Sequence, residues 1–179
     1  MMRSKALFLD RDGVINQDLG YVNKIENFFF MDGIFSLAQK ARARNFLIIV
    51  ITNQAGIARG MYTEDDFFKL TSWMEDQFLK HEAQITKTYF CPHHPDASIL
   101  HYKKKCSCRK PGSLLFSQAQ KKYNIDMKAS VMIGDKVSDL EAANEAGVGS
   151  KLLFSQYPPA NLGSFLHVDA LSNAVKFLC

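Results

Sequence analysis

The stretch that decides the fold is ALFLDRDGV, residues 6–14 of the chain. Its first four residues are apolar, and an uninterrupted apolar run is typical of a strand buried on both faces of a sheet. Asp10 and Asp12 follow directly, so two carboxylates can face the same side at the end of the predicted strand. One carboxylate can act as a nucleophile while the other transfers a proton. A polar turn is the other interpretation of this stretch when it is taken alone.

Further apolar runs indicate strands at residues 46–51, 86–90, 131–133 and 150–154. Amphipathic segments alternate with these runs, which predicts an α/β fold with a parallel sheet and helices on both faces. Asp10, Thr52 and Asp135 each stand where an apolar run stops. Because ligands of open parallel sheets bind at the carboxyl ends of the strands, we expect these three residues to converge on one edge.

Capping signals predict where the helices begin. We expect helices over residues 32–45, 63–81, 111–123, 138–147 and 170–177. Asp32 and Thr63 are candidate caps, the latter with a capping-box pattern, and Pro111 suits a first helical turn. Ser138 and Glu141 form a second capping-box pattern.

Length and composition indicate one globular domain over residues 1–179. The chain is 47% hydrophobic and 22% charged, and its formal net charge is +4. That charge fits an anionic substrate but does not form the basic face that nucleic-acid binding needs. No apolar stretch approaches the ~20 residues of a membrane span. We therefore expect a cytoplasmic monomer that acts on a small molecule, with neither nucleic acid nor membrane as a partner.

Two short motifs predict a phosphate site. TNQ at residues 52–54 offers the Thr52 hydroxyl and backbone amides at a strand end. RKP at residues 109–111 places Lys110 just before a predicted helix, whose N-terminus also favours an anion. Turn residues and solvated cations are the alternative interpretations of the two motifs.

A magnesium site is predicted from the acidic residues. Asp10, Asp135 and a group from Asp12 could supply the oxygen ligands that Mg2+ prefers, together with water and substrate phosphate. Asp139 has two open interpretations, because acids are favoured in the first turn of a helix but this one could also support the metal site.

Cysteines and histidines cluster in the middle of the chain and predict a zinc-binding loop over about residues 91–108. Three thiols and one imidazole can form a closed, structural zinc site. The expected ligands are Cys91, His93, Cys106 and Cys108. His94 is the alternative to His93. Such a loop would hold Arg109 and Lys110 against the phosphate.

Taken together and in order, these motifs resemble those of the haloacid dehalogenase (HAD) superfamily. The matching residues are Asp10-x-Asp12-Gly13-Val14, Thr52, Lys110 and Gly134-Asp135-x3-Asp139. The resemblance implies a Rossmann-like fold, catalytic Mg2+ and a phospho-aspartate on Asp10. It also implies that Asp12 is the general acid/base, that Thr52 and Lys110 stabilise the phosphoryl group, and that Asp135 binds the metal.

The likeness is greatest to a subgroup of sugar-bisphosphate phosphatases that carry a zinc loop and no separate cap domain. The implied substrate is a heptose 1,7-bisphosphate, whose 7-phosphate is removed on the route to lipopolysaccharide. The predicted substrate contacts are Asp18, Tyr21, Asn53, Gln54, Ala55, Arg59, Arg109 and Lys136.

Two other functions stay open at this point. A histidinol-phosphate phosphatase shares the aspartates and a similar zinc loop. Its substrate carries an amine, whereas a bisphosphate carries a second dianion that Arg59, Arg109 and Lys136 could bind. A zinc-containing binding module without activity would be expected to lack the nucleophile or a metal ligand, and this chain retains them.

Overall fold

The computed structural model describes residues 3–157 and 160–179. Its strands are β1 (Lys5–Leu9), β2 (Phe46–Asn53), β3 (Lys87–Cys91), β4 (Val131–Gly134), β5 (Ser150–Phe154) and β6 (Leu166–Val168). They form one parallel sheet in the order β3-β2-β1-β4-β5-β6. The predicted α/β architecture and the five predicted strands are confirmed.

Helices connect the strands. They are α1 (Ile34–Ala43), α2 (Ala55–Ala58), α3 (Glu64–Lys80), α4 (Leu114–Tyr123) and α5 (Val137–Glu145). Short 3-10 helices occur at Ile25–Asn27, Leu100–Tyr102 and Leu171–Phe177. No helix over 3–157 or 160–179 has both the length and the apolar character needed to cross a bilayer. Within the same ranges, no second sheet forms a cap over the first.

Side chains that alternate along β1 pack against helices on both faces of the sheet. Leu7 and Leu9 belong to a core with α1, α3 and the 3-10 helix Leu171–Phe177. Ala6 and Phe8 belong to a second core with α4 and α5. Because these four side chains are 0% exposed, the strand that leads to Asp10 is held firmly on both sides.

Two helix starts test the predicted caps. The Thr63 capping box is confirmed: the Asp66 N–H donates to Thr63 Oγ1 at 3.1 Å, and the Thr63 N–H donates to Asp66 Oδ2 at 3.0 Å. The Asp32 cap is wrong. Gly33 precedes α1 instead, with a left-handed φ of 80° that glycine adopts without strain.

The helix predicted from Pro111 begins three residues later, at Leu114. The intervening residues turn back on the preceding loop, where the Leu114 N–H donates to the Ser107 carbonyl oxygen at 3.1 Å. Gly112 makes this close approach possible, because a Cβ there would collide with the same carbonyl.

The predicted Ser138–Glu141 capping box is also wrong. α5 begins at Val137, so its capping acid is Asp139, which accepts the Lys136 N–H at 3.0 Å. The helix predicted over 170–177 is a 3-10 helix. The strand β6 and the single-turn helix α2 were not predicted.

Candidate active site

The carboxyl ends of β1, β2 and β4 bring the predicted catalytic residues together. The last residue of β1 pairs with Val50 of β2 and with Ile133 of β4. Asp10 continues β1, and its N–H donates to the Ile133 carbonyl at 3.0 Å. Thr52 lies two residues after Val50, and Asp135 lies two residues after Ile133. The three residues therefore lie at the same level, at the edge where the sequence placed them.

Lys110 provides a buried cation at this edge. Its Nζ donates to Asp10 Oδ1 at 2.7 Å, to the Ile51 carbonyl oxygen at 2.7 Å and to Asp139 Oδ1 at 2.8 Å. An ammonium has three N–H donors, so all are used. Burial acts to lower the pKa of Lys110, but the two carboxylates outweigh it and the pKa is raised. The charge is therefore fixed beside Asp10.

Asn53 holds the backbone of Lys110 in place. The Asn53 Nδ2 donates to the Lys110 carbonyl oxygen at 3.2 Å, and the Lys110 N–H donates to Asn53 Oδ1 at 3.0 Å. The next residue, Gln54, donates its backbone N–H to the Cys91 carbonyl at 2.8 Å. The end of β2 thus fixes both ends of the loop over residues 91–110.

Three carboxylates gather beside this ammonium. Asp10, Asp135 and Asp139 each offer an oxygen within 4.8 Å of the others. Gly13 leaves room for them, since a Cβ there would collide with the Asp135 carboxylate. Burial raises the pKa of Asp10 to about 8, against the opposing effect of Lys110, and raises that of Asp135 to about 6. Asp135 Oδ1 is buried and finds no hydrogen-bond partner in the described part of the chain.

Asp139 is more than a helix acid, because it has two sets of contacts, but its support of a metal site stays a prediction. It caps α5 through the Lys136 N–H, and it also binds the Lys110 ammonium. Its side chain is 2% exposed, so this acid is part of the buried charge cluster as well as of the helix.

The Asp12 carboxylate lies in a separate network. It accepts from Arg11 Nη2 at 2.9 Å, from Asn16 Nδ2 at 3.0 Å and from Gln54 Nε2 at 3.0 Å. Asp139, rather than the Asp12 side chain, is therefore the third carboxylate of the cluster. The participation of Asp12 in a magnesium site stays a prediction.

A cavity of about 460 Å³ opens in front of these groups. Every residue predicted to be catalytic or to bind substrate lines it: Asp10, Asp12, Asp18, Tyr21, Thr52, Asn53, Gln54, Ala55, Arg59, Arg109, Lys110 and Lys136. Sequence reasoning missed Tyr62, His94 and Ser138, which line it too. His94 could have been found as the histidine left over once His93 is assigned to the metal.

The cavity also contains cations beyond Lys110. Arg59, Arg109 and Lys136 line it, and Lys136 Nζ lies 3.2 Å from Asp18 Oδ2. Burial acts to lower the pKa of Lys136, but Asp135 and Asp18 raise it overall, so this side chain is charged at neutral pH. The lining therefore suits a ligand with more than one negative group.

The predicted metal-binding loop brings four ligand atoms together beside the cavity. Those of Cys91, His93, Cys106 and Cys108 lie within 4.8 Å of one another. His93 Nδ1 lies 3.3 Å from Cys108 Sγ, and Cys91 Sγ lies 3.5 Å from Cys106 Sγ. His94 is outside this cluster and accepts a backbone N–H at 3.0 Å through Nδ1. The cluster could hold a metal ion, with His93 as its imidazole.

Comparison with known proteins agrees with this arrangement. Residues 107–154 match the HAD-hydrolase-like family. A D-glycero-alpha-D-manno-heptose-1,7-bisphosphate 7-phosphatase from Burkholderia mallei is 53% identical over 152 residues, which are 85% of this chain and 80% of the relative. A D-glycero-beta-D-manno-heptose-1,7-bisphosphate 7-phosphatase from Yersinia pestis is 42% identical over 173 residues, which are 97% and 92% of the two chains.

A solved structure has the same fold. The crystal structure of D,D-heptose 1,7-bisphosphate phosphatase from B. bronchiseptica, complexed with magnesium and phosphate, has a TM-score of 0.84 at 24% identity. The match covers 97% of each chain.

The sheet and the buried carboxylate–ammonium cluster define a HAD-like hydrolase of the phosphatase class. The resemblance predicted from the sequence motifs is thereby confirmed. With relatives at 42–53% identity over most of its length, the chain belongs to the D-glycero-D-manno-heptose-1,7-bisphosphate 7-phosphatase family.

Proposed function

We propose that the chain is a Mg2+-dependent phosphatase that removes the 7-phosphate of D-glycero-D-manno-heptose 1,7-bisphosphate. The observation that carries the proposal is the Lys110 ammonium, which is buried and in contact with both Asp10 and Asp139 at the floor of the cavity. The names of the relatives supply the substrate. Their α and β forms leave both anomers as candidates.

The residues fit a magnesium ion. The carboxylates lie close together at Asp10, Asp135 and Asp139. Asp135 Oδ1 has no hydrogen-bond partner among the described residues, so it could act as a ligand to a hard cation such as Mg2+. Asp10 and Asp135 would hold the ion, together with the predicted group from Asp12. When bound, Mg2+ would neutralise the phosphate and hold it in line for attack.

The chain's own residues account for the chemical steps. An Asp10 oxygen forms a bond to phosphorus while the bond from phosphorus to the sugar oxygen breaks, and Asp12 gives a proton to that oxygen. Water then attacks the phospho-aspartate, Asp12 takes a proton from the water, and Asp10 is released with inorganic phosphate. Lys110 and Thr52 stabilise the negative charge on the transferred group.

The cavity favours a bisphosphate over histidinol phosphate. Arg59, Arg109 and Lys136 line it, and they would attract a second phosphate but repel an amine. Its volume of about 460 Å³ lies within the range of about 300–1,000 Å³ typical of small-molecule sites.

The loop over residues 91–108 is proposed to hold structural zinc. Three thiols and one imidazole form a closed set of four ligands, which leaves no position for substrate. Between Cys91 and Cys108 every loop residue except Ala97 is exposed or half-buried. The ion would therefore supply the order of the loop and, through it, the placement of Arg109 and Lys110.

The test is phosphate release in the presence of Mg2+, with both heptose bisphosphate anomers and histidinol phosphate as substrates. We expect a higher kcat/KM on a heptose bisphosphate, and loss of the 7-phosphate by ³¹P NMR. Asp10→Asn should lower kcat by about 10⁴-fold or more, as removal of a nucleophile does. Asp76→Asn, the same change on the exposed face of α3, is the control. A preference for histidinol phosphate would refute the substrate, and substantial activity in Asp10→Asn would refute the mechanism.

A further inference from the structure

Gln54 was predicted to bind substrate, but its side chain is used elsewhere. The residue is 1% exposed. Its Nε2 donates to Thr52 Oγ1 at 2.8 Å and to Asp12 Oδ2 at 3.0 Å. A side-chain amide has two N–H donors, so both are directed at groups of the proposed reaction. No donor of this amide remains for a ligand.

Tyr62 and Asp12 together determine which way the amide faces. Its hydroxyl donates to Gln54 Oε1. If the amide rotated by half a turn, its oxygen would face the Asp12 carboxylate and its NH2 group would face the phenol. Burial raises the pKa of Tyr62 to about 12, so the hydroxyl keeps its proton and stays a donor at neutral pH.

The position of Tyr62 is in turn fixed by packing. The residue is 7% exposed and clusters with Ile57 and Phe67. Its ring lies directly on α2 at Gly56, where an added Cβ would collide with the ring. The hydroxyl therefore has little freedom to follow Gln54 if the amide moves.

We propose that Gln54 and Tyr62 are positioning residues, which hold the general acid/base Asp12 at a set place relative to the phosphate-binding hydroxyl of Thr52. Asp12 belongs to the loop after β1 and Thr52 to β2, and the Gln54 amide joins the two. Arg11 and Asn16 also bind Asp12, but both belong to the same loop as Asp12 and do not connect it to β2. The inference rests on the proposed function, because the roles of Asp12 and Thr52 belong to it.

The test compares two leaving groups. A sugar alkoxide needs a proton from Asp12 to depart, whereas p-nitrophenolate departs without one. We expect Gln54→Met to lower kcat/KM on an alkyl phosphate by about 100-fold, because a well-placed general acid contributes about 10²–10⁴-fold to the rate. On p-nitrophenyl phosphate we expect a loss of less than about 10-fold. Tyr62→Phe should show the same selectivity with a smaller loss of about 10-fold on the alkyl ester, the value of one hydrogen bond.

Tyr102→Phe is the matched control. The Tyr102 hydroxyl donates to Glu64 Oε1 at 2.9 Å, and its ring packs against the same small core as Tyr62. The two variants therefore lose the same atom in similar surroundings. The control should keep the wild-type kcat/KM on both esters.

Three kinetic results would overturn the inference. An equal loss on both esters would indicate a structural role, an increase in KM at constant kcat for Gln54→Met would make Gln54 a substrate ligand, and an unchanged rate would remove its role. A crystal structure of Tyr62→Phe gives a test independent of activity: the Gln54 side chain should change rotamer and leave Asp12 and Thr52, and a side chain that keeps its place beside both would refute the pair. Failure of the wild type on heptose bisphosphate would refute only the proposed substrate, since any alkyl phosphate that the enzyme hydrolyses serves this comparison.

Discussion

Replacement of Lys110 by methionine tests the buried charge cluster most directly. Methionine keeps an unbranched apolar chain but removes the ammonium that contacts Asp10, Asp139 and the Ile51 carbonyl. Two carboxylates would then lie buried without their cation. Loss of one partner of a buried ion pair costs about 3–5 kcal/mol, and we expect Lys110→Met to lower the free energy of unfolding by that amount. For a chain of this size the melting temperature should fall by about 6–20 °C.

The assay is urea unfolding at pH 9, above the pKa of about 8 of Asp10, on protein prepared with added Zn2+ and without Mg2+. Lys122→Met on the exposed surface of α4 is the control. Surface changes of that kind cost no more than about 0.5 kcal/mol. The double variant Lys110→Met/Asp139→Asn should be more stable than the sum of its single variants implies, because the asparagine removes one of the stranded charges. A loss below about 1 kcal/mol for Lys110→Met, or simple additivity in the double variant, would refute the reasoning.

Two further changes test the metal-binding loop and the cationic lining of the cavity. Cys106→Ser should lower the zinc content measured by atomic absorption. It should also reduce kcat/KM, because the loop that carries Lys110 loses its order. A variant without zinc but with full activity would contradict a structural role of zinc in this loop. Arg109→Ala should raise KM for heptose bisphosphate by about 10-fold, because one charged contact to the second phosphate is lost. The KM for p-nitrophenyl phosphate, which has no second phosphate, should stay nearly unchanged. An equal rise for both substrates would show that Arg109 binds the reacting phosphate instead.

The centre of the sheet could be predicted because β1, β2 and β4 are buried on both faces. Such strands contain uninterrupted apolar runs, as at residues 6–9 and 46–51. An amphipathic surface helix would show polar residues between its apolar ones, so these runs do not fit it. β6 has only three residues, and the half-buried His167 interrupts its apolar pattern. α2 is a single turn, too short to show a helical period.

The site was predictable as a set of positions, but the partners within it were not. The position of Asp10, Thr52 and Asp135 at strand ends follows from the parallel topology. The contacts of Gln54 and Asn53 depend on loops that return from distant parts of the chain. Asn53 meets Lys110 across 57 residues, and Gln54 meets Asp12 across 42. Their amides looked available for a ligand because no pattern in the sequence shows that they are already occupied.

The loop over residues 91–110 leaves and rejoins the molecule at adjacent points, because Gln54 holds one end and Asn53 the other. A segment anchored in this way can change in length or composition at little entropic cost. We therefore expect that this segment can be replaced as a unit while the sheet and Asp10 keep their places. Transplanting the whole segment between related enzymes, rather than altering its residues singly, is the rational route to new specificity.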